Sequence, residues 1–527
     1  MPKVLISDKI AADAIAVFED RGVEVDYRPG LPADELLEII HDYDGLAIRS
    51  ATKVTAEVLA NAKNLKAVGR AGIGVDNVDV QAATRAGIVV MNTPFGNAVT
   101  TAEHAITMML SLSRQIPQAH MSTIAGKWEK SKFLGSEISG KILGIIGCGN
   151  IGAIVAERAQ GLKMRVIGFD PYLTPERAKS LGIEKVELEE LLGRADFITL
   201  HTPLTDATRN IISADALQKT KKGVRIINCA RGGLVDETAL CAALHSGHVA
   251  GAALDVFAQE PARENILFDA PNLIATPHLG ASTTEAQEKV AVQIAEQLAE
   301  FLMKGAVTNA LNMASVTAEE APILQPYMTL GRLLGSFLGQ VDMADIKAVR
   351  LEFDGKSSAL NEAPVLASTL AGLLGPKMDS VNMVNAAAVA SGGGIAVATV
   401  RHDRRCDYES MLRVTVDFEG GERTIAGTLI GGNKPRIVEL QGIAVEAEFP
   451  EHMLYVRNYD KPGFVGALGS IFGELDVNIA TFHLGRKDEG GEAIALVEVD
   501  EAISDDALAK IKELPQIVRV DRLQFTM

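Results

Sequence analysis

Apolar residues in this chain gather into short continuous runs, separated by longer stretches with helical periodicity. Before residue 95 the runs fall at 4–7, 23–27, 46–49, 67–70 and 88–92. Runs apolar throughout predict strands buried on both faces. Their alternation with helices predicts a parallel sheet covered by helices. Ligands bind such sheets beyond the carboxyl ends of the strands. Arg49 and Arg70 stand at two such ends. Either alone reads equally as a solvated surface cation; together they read as an anion clamp. Gly72-Ile73-Gly74 lacks a third glycine, since position 77 is Asn77, and reads as a flexible loop on the substrate side.

A second series of runs, at 142–146, 164–169, 196–201, 224–228, 251–256 and 273–276, predicts another parallel sheet. Its first run leads into Gly147-Cys148-Gly149-Asn150-Ile151-Gly152 and a helical pattern over 153–162. The next run ends at Asp170, 18 residues past Gly152 (170 − 152). This is the layout of a dinucleotide fold. Gly147 makes the tight turn, Gly149 admits a pyrophosphate to the backbone, and Gly152 lets helix and strand pack. The helix N-terminus offers free N–H groups to the anion. Asp170 would accept from the adenosine ribose, and Pro171-Tyr172 supplies no cation for a 2′-phosphate, so the expected cofactor is NAD. Thr100 and Glu103 have capping-box spacing and predict a helix over 101–112 that leads into this sheet. A helical pattern over 284–303 returns to the first sheet, which makes the first domain discontinuous.

Beyond 315 the chain is punctuated by Gly375-Pro376, Ser391-Gly-Gly-Gly394 and Gly431-Gly432-Asn433. No catalytic constellation stands out there. Arg401, Arg404 and Arg405, with Lys434 and Arg436, could meet an anion, but a solvated charged edge is the preferred reading. From Leu454 the pattern runs strand, helix, strand, strand, helix, strand: a ferredoxin-like unit, able to pair its edge with a second copy.

The net charge of −17 over 527 residues argues against nucleic acid or an anionic membrane as partner, so an anionic substrate needs a local basic pocket. No apolar run reaches the ~18 residues of a spanning helix, and the start at Met1 shows no signal-peptide core, so a cytoplasmic protein is expected. Cys148, Cys229, Cys241 and Cys406 have no CxxC spacing; they read as reduced thiols, and no metal is expected.

Three polar residues follow late strands of the second sheet: Arg231, Glu260 and His278. Hydride removal from a hydroxy acid needs a base for the hydroxyl proton, and His serves near neutral pH. A carboxylate can fix its tautomer, and an Arg can hold the substrate carboxylate with two donors. The runs Cys229-Ala230-Arg231-Gly-Gly, Asp255-Val-Phe-x-x-Glu260-Pro and Pro-His278-Leu-Gly280-Ala-Ser are similar to those of the D-2-hydroxyacid dehydrogenase family. Ile48-Arg49-Ser and Gly69-Arg70-Ala-Gly-Ile-Gly resemble its branch acting on 3-phosphoglycerate, and the C-terminal unit resembles an ACT domain, a small-ligand sensor.

The resemblance implies His278 as acid/base, Glu260 as its partner and Arg231 as the substrate anchor. It implies Asp255 at the nicotinamide, and Asn150, Ile151, Thr202, Cys229, Ala230 and Gly280 at the nucleotide. Arg49, Arg70 and Asn97 match positions at the substrate phosphate, with a further cation at Lys130 or Lys132. Asn458, Asp460 and Asn478 match positions that contact L-serine. The expected domains are 1–97 with 283–314 for substrate, 98–282 for NAD in a Rossmann fold, 315–452 as an α+β intervening domain and 453–527 as the ACT domain. The first is flavodoxin-like. A homo-oligomer, a tetramer by preference, is expected. The alternatives are another 2-hydroxyacid dehydrogenase, acting on glyoxylate, hydroxypyruvate or 2-oxoglutarate, and a non-catalytic NAD-sensing protein.

Overall fold

The computed structural model describes residues 1–527 apart from 95, 318, 342–344, 379, 403–406 and 527. The chain divides into two compact units: Met1–Lys9, Ile15–Asn92 and Ile294–Met527 form one, Ile10–Ala14 and Thr93–Gln293 the other. Among the described residues no helix is long and apolar enough to cross a membrane.

In the first unit, β1 (Lys3–Ile6), β2 (Glu24–Tyr27), β3 (Gly45–Ile48), β4 (Ala67–Arg70) and β5 (Val89–Asn92) make a parallel sheet in the order β2-β1-β3-β4-β5. This is the flavodoxin-like order, and it reverses between β1 and β3, where such sheets bind ligands. Helix Thr284–Lys304 packs its later turns on β4. A Cβ on Gly69 would lie 2.7 Å from Ile294 Cγ1 and 2.6 Å from Leu298 Cδ1, so only glycine allows that approach. Ile294 and Leu298 are fully buried there, each contributing about 1.5–3 kcal/mol.

In the second unit, β6 (Ile142–Ile146), β7 (Arg165–Phe169), β8 (Glu184–Lys185), β9 (Phe197–Leu200), β10 (Val224–Asn228), β11 (Val249–Leu254) and β12 (Leu273–Ala275) are all parallel. Their order is β12-β11-β10-β9-β6-β7-β8, reversing between β9 and β6. The two-residue β8 has no apolar run to announce it. Helix Ala98–Arg114 starts earlier than expected, with Asn97 at the N-cap. Thr100 therefore lies inside the first turn and forms no capping box. Thr101 Oγ1 instead donates back to the Asn97 carbonyl at 3.1 Å.

The remainder of the first unit holds two further sheets. β13 (Ile346–Gly355), β14 (Ala396–His402), β15 (Ser410–Phe418), β16 (Gly421–Ile430), β17 (Lys434–Leu440) and β18 (Ile443–Ala447) run in the order β14-β13-β15-β16-β17-β18. Three strands thus separate Arg401 on β14 from Lys434 and Arg436 on β17. Arg401 pairs with Glu362 at 3.1 Å and Arg436 with Glu448, as a charged edge should. Arg404, Arg405 and Cys406 lie outside the described residues.

The last sheet, β19 (His452–Tyr459), β20 (Ile479–Arg486), β21 (Glu492–Val499) and β22 (Ile517–Gln524), is antiparallel in the order β20-β21-β19-β22. Alternate residues face opposite sides. Leu454, Val456, Ala495 and Val497 pack on the unit's own helices. Met453, Tyr455, Ile494 and Leu496 join the core around helix Ala321–Gln340, where the Phe337 ring lies 5.3 Å from that of Tyr455 and 6.4 Å from that of Phe525.

Candidate active site

The glycine loop follows β6, at the reversal of the second sheet. Gly147 has φ +93°, and a Cβ there would lie 2.5 Å from the His201 carbonyl oxygen. A Cβ on Gly152 would lie 2.1 Å from the Gly147 carbonyl oxygen, whereas Gly149 faces open space. The loop is thus tight where it meets protein and clear where a diphosphate must approach. Helix Asn150–Gly161 begins directly after it, so the amides of Asn150 and Ile151 lie in its first turn. Asp170, at the exit of β7, accepts from Cys148 N at 2.9 Å and Tyr172 N at 2.8 Å. Those bonds aim the carboxylate at the loop, and Tyr172 beside it is 93% exposed. These residues fit NAD: an acid where the ribose would lie, followed by Pro171-Tyr172 and not by a cation for a 2′-phosphate.

His278 follows β12 in the left-handed conformation, φ +56°. Its Nδ1 lies 2.7 Å from Glu260 Oε2. Glu260 Oε1 accepts from Phe257 N at 3.0 Å, which fixes the carboxylate. The hydrogen bond to Glu260 raises the His278 pKa, against burial and the charge of Arg231. Burial pushes Glu260 upward, but the bonds from His278 and Phe257 outweigh it and hold the carboxyl below its ordinary range. Glu260 engages Nδ1, so Nε2 is the nitrogen left to meet a substrate.

Asp255 braces this loop from behind. Its carbonyl accepts from His278 N at 2.9 Å, and its carboxylate from Leu279 N at 2.7 Å and Gly280 N at 2.8 Å. Thr276 Oγ1 donates at 2.6 Å, and His104 Nε2 lies 3.3 Å away. The Asp255 side chain has no exposed surface.

Arg231 sits on the turn after β10. Asn228 shapes that turn, accepting from Ala230 N at 3.0 Å and donating to the Arg231 carbonyl at 2.8 Å. A Cβ on Gly232 would lie 1.7 Å from the Phe257 carbonyl oxygen, so glycine brings this turn against the loop that carries Glu260. Cys229 is buried, which raises its thiol pKa. Thr202 follows β9, as does His201, whose imidazole burial pushes down to about 4 and so keeps neutral. Lys130 and Lys132 lie on a short exposed 3₁₀ turn, Lys132 being 3.6 Å from Glu129.

In the first unit, Arg49 follows β3 at the sheet's reversal. Asp8, at the exit of β1, accepts from Arg49 N at 2.6 Å and Thr52 Oγ1 at 2.7 Å. Arg70 ends β4 in register with Ile48, so the two arginines leave neighbouring strands at the same edge. Gly72, at φ +142°, leaves room for the Arg70 guanidinium; a Cβ there would lie 2.3 Å from Nη1. Asn97, in the second unit, is buried at its helix N-cap.

The three expected effector residues do not meet within one chain. Asp460, after β19, holds Arg486 at 2.7 Å, at the far end of β20. Asn478 precedes β20 and holds Asp500 at 2.7 Å. Eight residues of β20 separate those ends, roughly 25 Å at the rise of a strand. Asp460 and Asn478 therefore lie at opposite ends of the sheet, not together as expected: β19 and β20 are both antiparallel to the intervening β21 and so run parallel, which puts the end of β19 away from the start of β20. Asn458 is buried on β19, its Nδ2 donating to the Tyr459 carbonyl at 3.0 Å.

Sequence reading passed over Asp8, His104 and His201. The position of Asp8 at a strand exit was visible. His104 was hidden on the apolar face of its helix, four residues from Met108.

Residues 106–280 match the D-isomer specific 2-hydroxyacid dehydrogenase NAD binding domain, 323–441 the D-3-phosphoglycerate dehydrogenase intervening domain, and 452–516 the ACT domain. The chain is 41% identical to D-3-phosphoglycerate dehydrogenase of Bacillus subtilis, over 99% of each chain. It is 41% identical to the enzyme of that name from Methanocaldococcus jannaschii, over 98% of each. Among solved structures, a glyoxylate reductase from Paecilomyes thermophila is 33% identical, with TM-score 0.55, covering 59% of this chain and 98% of that one.

Proposed function

The chain belongs to the D-isomer specific 2-hydroxyacid dehydrogenases, among the D-3-phosphoglycerate dehydrogenases, and from that premise we propose that it oxidises 3-phosphoglycerate to 3-phosphohydroxypyruvate with NAD, the first step of phosphorylated L-serine synthesis. The observation that carries this reading is the His278–Glu260 hydrogen bond beside the exits of a nucleotide-binding sheet. NAD, held by the glycine loop and Asp170, would supply the acceptor for the hydride from C2 of the substrate. His278 Nε2 takes the hydroxyl proton, and Glu260 stabilises the imidazolium that results. Arg231 holds the substrate carboxylate and polarises the C–O bond. Arg49 and Arg70 take the phosphate, which an acidic chain would otherwise repel.

L-Serine is proposed as an effector of the ACT domain. Because Asp460 and Asn478 lie at opposite ends of one sheet, a shared site requires two copies related by a twofold axis, and so a homo-oligomer. The test of the function is a substrate panel with NAD: 3-phosphoglycerate, D-glycerate and 2-hydroxyglutarate in one direction, glyoxylate and hydroxypyruvate with NADH in the other. Preference for 3-phosphoglycerate supports the reading. Preference for an unphosphorylated acid would transfer the chain to another activity, and absence of all turnover would make it a nucleotide-binding protein.

A further inference from the structure

We propose that His104 is a positioning residue for the catalytic histidine, acting through Asp255. The backbone of His278 is strained. A non-glycine residue at φ +56° persists only where its surroundings hold it. Three consecutive amides hold it here: His278 N on the Asp255 carbonyl, Leu279 N on Oδ1 and Gly280 N on Oδ2. One residue at the exit of β11 thus grips the whole turn.

That grip depends on Asp255 remaining an anion with both oxygens in place. The side chain is fully buried, and a buried carboxylate is costly unless it is paired and hydrogen-bonded. Its side-chain donor is Thr276 Oγ1 at 2.6 Å, and His104 Nε2 stands 3.3 Å from the same oxygen, Oδ1, at ion-pair distance. Of these, only His104 can carry positive charge. His104 Nε2 also lies 3.4 Å from Thr276 Oγ1, so it meets both the carboxylate and the hydroxyl that donates to it. His104 projects from helix Ala98–Arg114, and its side chain is 18% exposed. It touches neither Glu260 nor His278 in any hydrogen bond described above. Its influence on the reacting group passes through Asp255 and the Leu279 and Gly280 amides.

The chain therefore has two His–acid pairs in series: His278 with Glu260 at the reacting end, His104 with Asp255 behind the turn. The inference rests on the dehydrogenase reading for its kinetic consequence but not for its structural one, and the test separates the two. His104→Gln places an amide N–H near the position of Nε2, whereas His104→Asn is too short to reach it. In the full chain, hydrogen–deuterium exchange of the peptide carrying Leu279 and Gly280 should rise in His104→Asn and stay near wild type in His104→Gln. With 3-phosphoglycerate and NAD, kcat of His104→Asn should fall by about 10²-fold, as for a misplaced catalytic group, with the KM for NAD little changed. The primary deuterium isotope effect from C2-deuterated substrate should rise with it, and His104→Gln should recover most of the rate. Wild-type exchange in His104→Asn, or equal impairment and equal loss of melting temperature in both variants, would overturn the proposal. If the wild type fails to oxidise 3-phosphoglycerate, the functional reading falls while the exchange comparison still decides the role of His104.

Discussion

His278 Nδ1 and Glu260 Oε2 lie 2.7 Å apart, joining the turn after β12 to the loop after β11. The bond raises the pKa of His278. Oxidation requires a neutral imidazole, so kcat/KM should fall as pH drops through the raised value. Glu260→Gln removes the main cause of the shift. Its acidic limb should move to lower pH and its plateau should drop; an unmoved limb in the pH–rate profile would separate Glu260 from the titration. The same pair contributes stability that is full between about pH 4.5 and 6.5, where Glu260 is ionised and His278 protonated in both states; it is lost as pH rises through the raised value of His278 and as pH falls through the lowered value of Glu260. The melting temperature of Glu260→Gln should thus differ most from wild type between about pH 4.5 and 6.5.

Asp170 is proposed to set the choice of cofactor. Its carboxylate is aimed at the glycine loop by Cys148 N and Tyr172 N, and it would repel a 2′-phosphate. Asp170→Ala should weaken NAD use and narrow its lead over NADP. Equal use of both cofactors by the wild type, in parallel kcat/KM measurements, would remove Asp170 from this role.

Arg70 is proposed to take the substrate phosphate, and Gly72 gives its guanidinium room. Losing one charge-assisted contact should cost about 1.5–3 kcal/mol. Arg70→Ala should raise the KM for 3-phosphoglycerate, with little effect on an unphosphorylated hydroxy acid. Gly72→Ala should act in the same direction, because its Cβ would strike Nη1 and its φ disfavours alanine. Equal losses on both substrates would mean that these residues serve the fold.

Much of this architecture was legible in the sequence because buried parallel strands are apolar throughout: β6 and β10 fall on the expected runs, and β1, β4 and β7 within a residue of them. The glycine loop and the His278–Glu260 pair could be read because their chemistry needs residue types at set strand exits. Long-range pairing was not legible. Nothing near Asp255 in sequence announces that it grips amides 23 to 25 positions later, or that His104 on a distant helix stands at ion-pair distance from it. Strand order decided the fate of Asp460 and Asn478: β21 intervenes, and the two ends part. Local composition also misplaced the start of helix Ala98–Arg114, since the Thr100 and Glu103 spacing competed with an N-cap at Asn97.

L-Serine should bind between copies of the ACT domain. Asp460 already accepts from Arg486 and Gly490 N, which hold its carboxyl below the usual range and keep it anionic for an ammonium group. Calorimetry should show binding to the wild type and loss of it in both Asp460→Ala and Asn478→Ala, since each copy would supply one end of the site. The inhibited and active states need differ by only about 1–3 kcal/mol in affinity. Binding that survives in either variant would locate serine elsewhere.

The most direct test of the whole account is steady-state NADH formation from 3-phosphoglycerate by the wild type and by His278→Ala, with NAD binding measured in parallel. The account predicts turnover by the wild type and a loss of about 10²–10⁴-fold in the variant, with NAD affinity retained. Wild-type turnover in His278→Ala, or no turnover by the wild type, would contradict it.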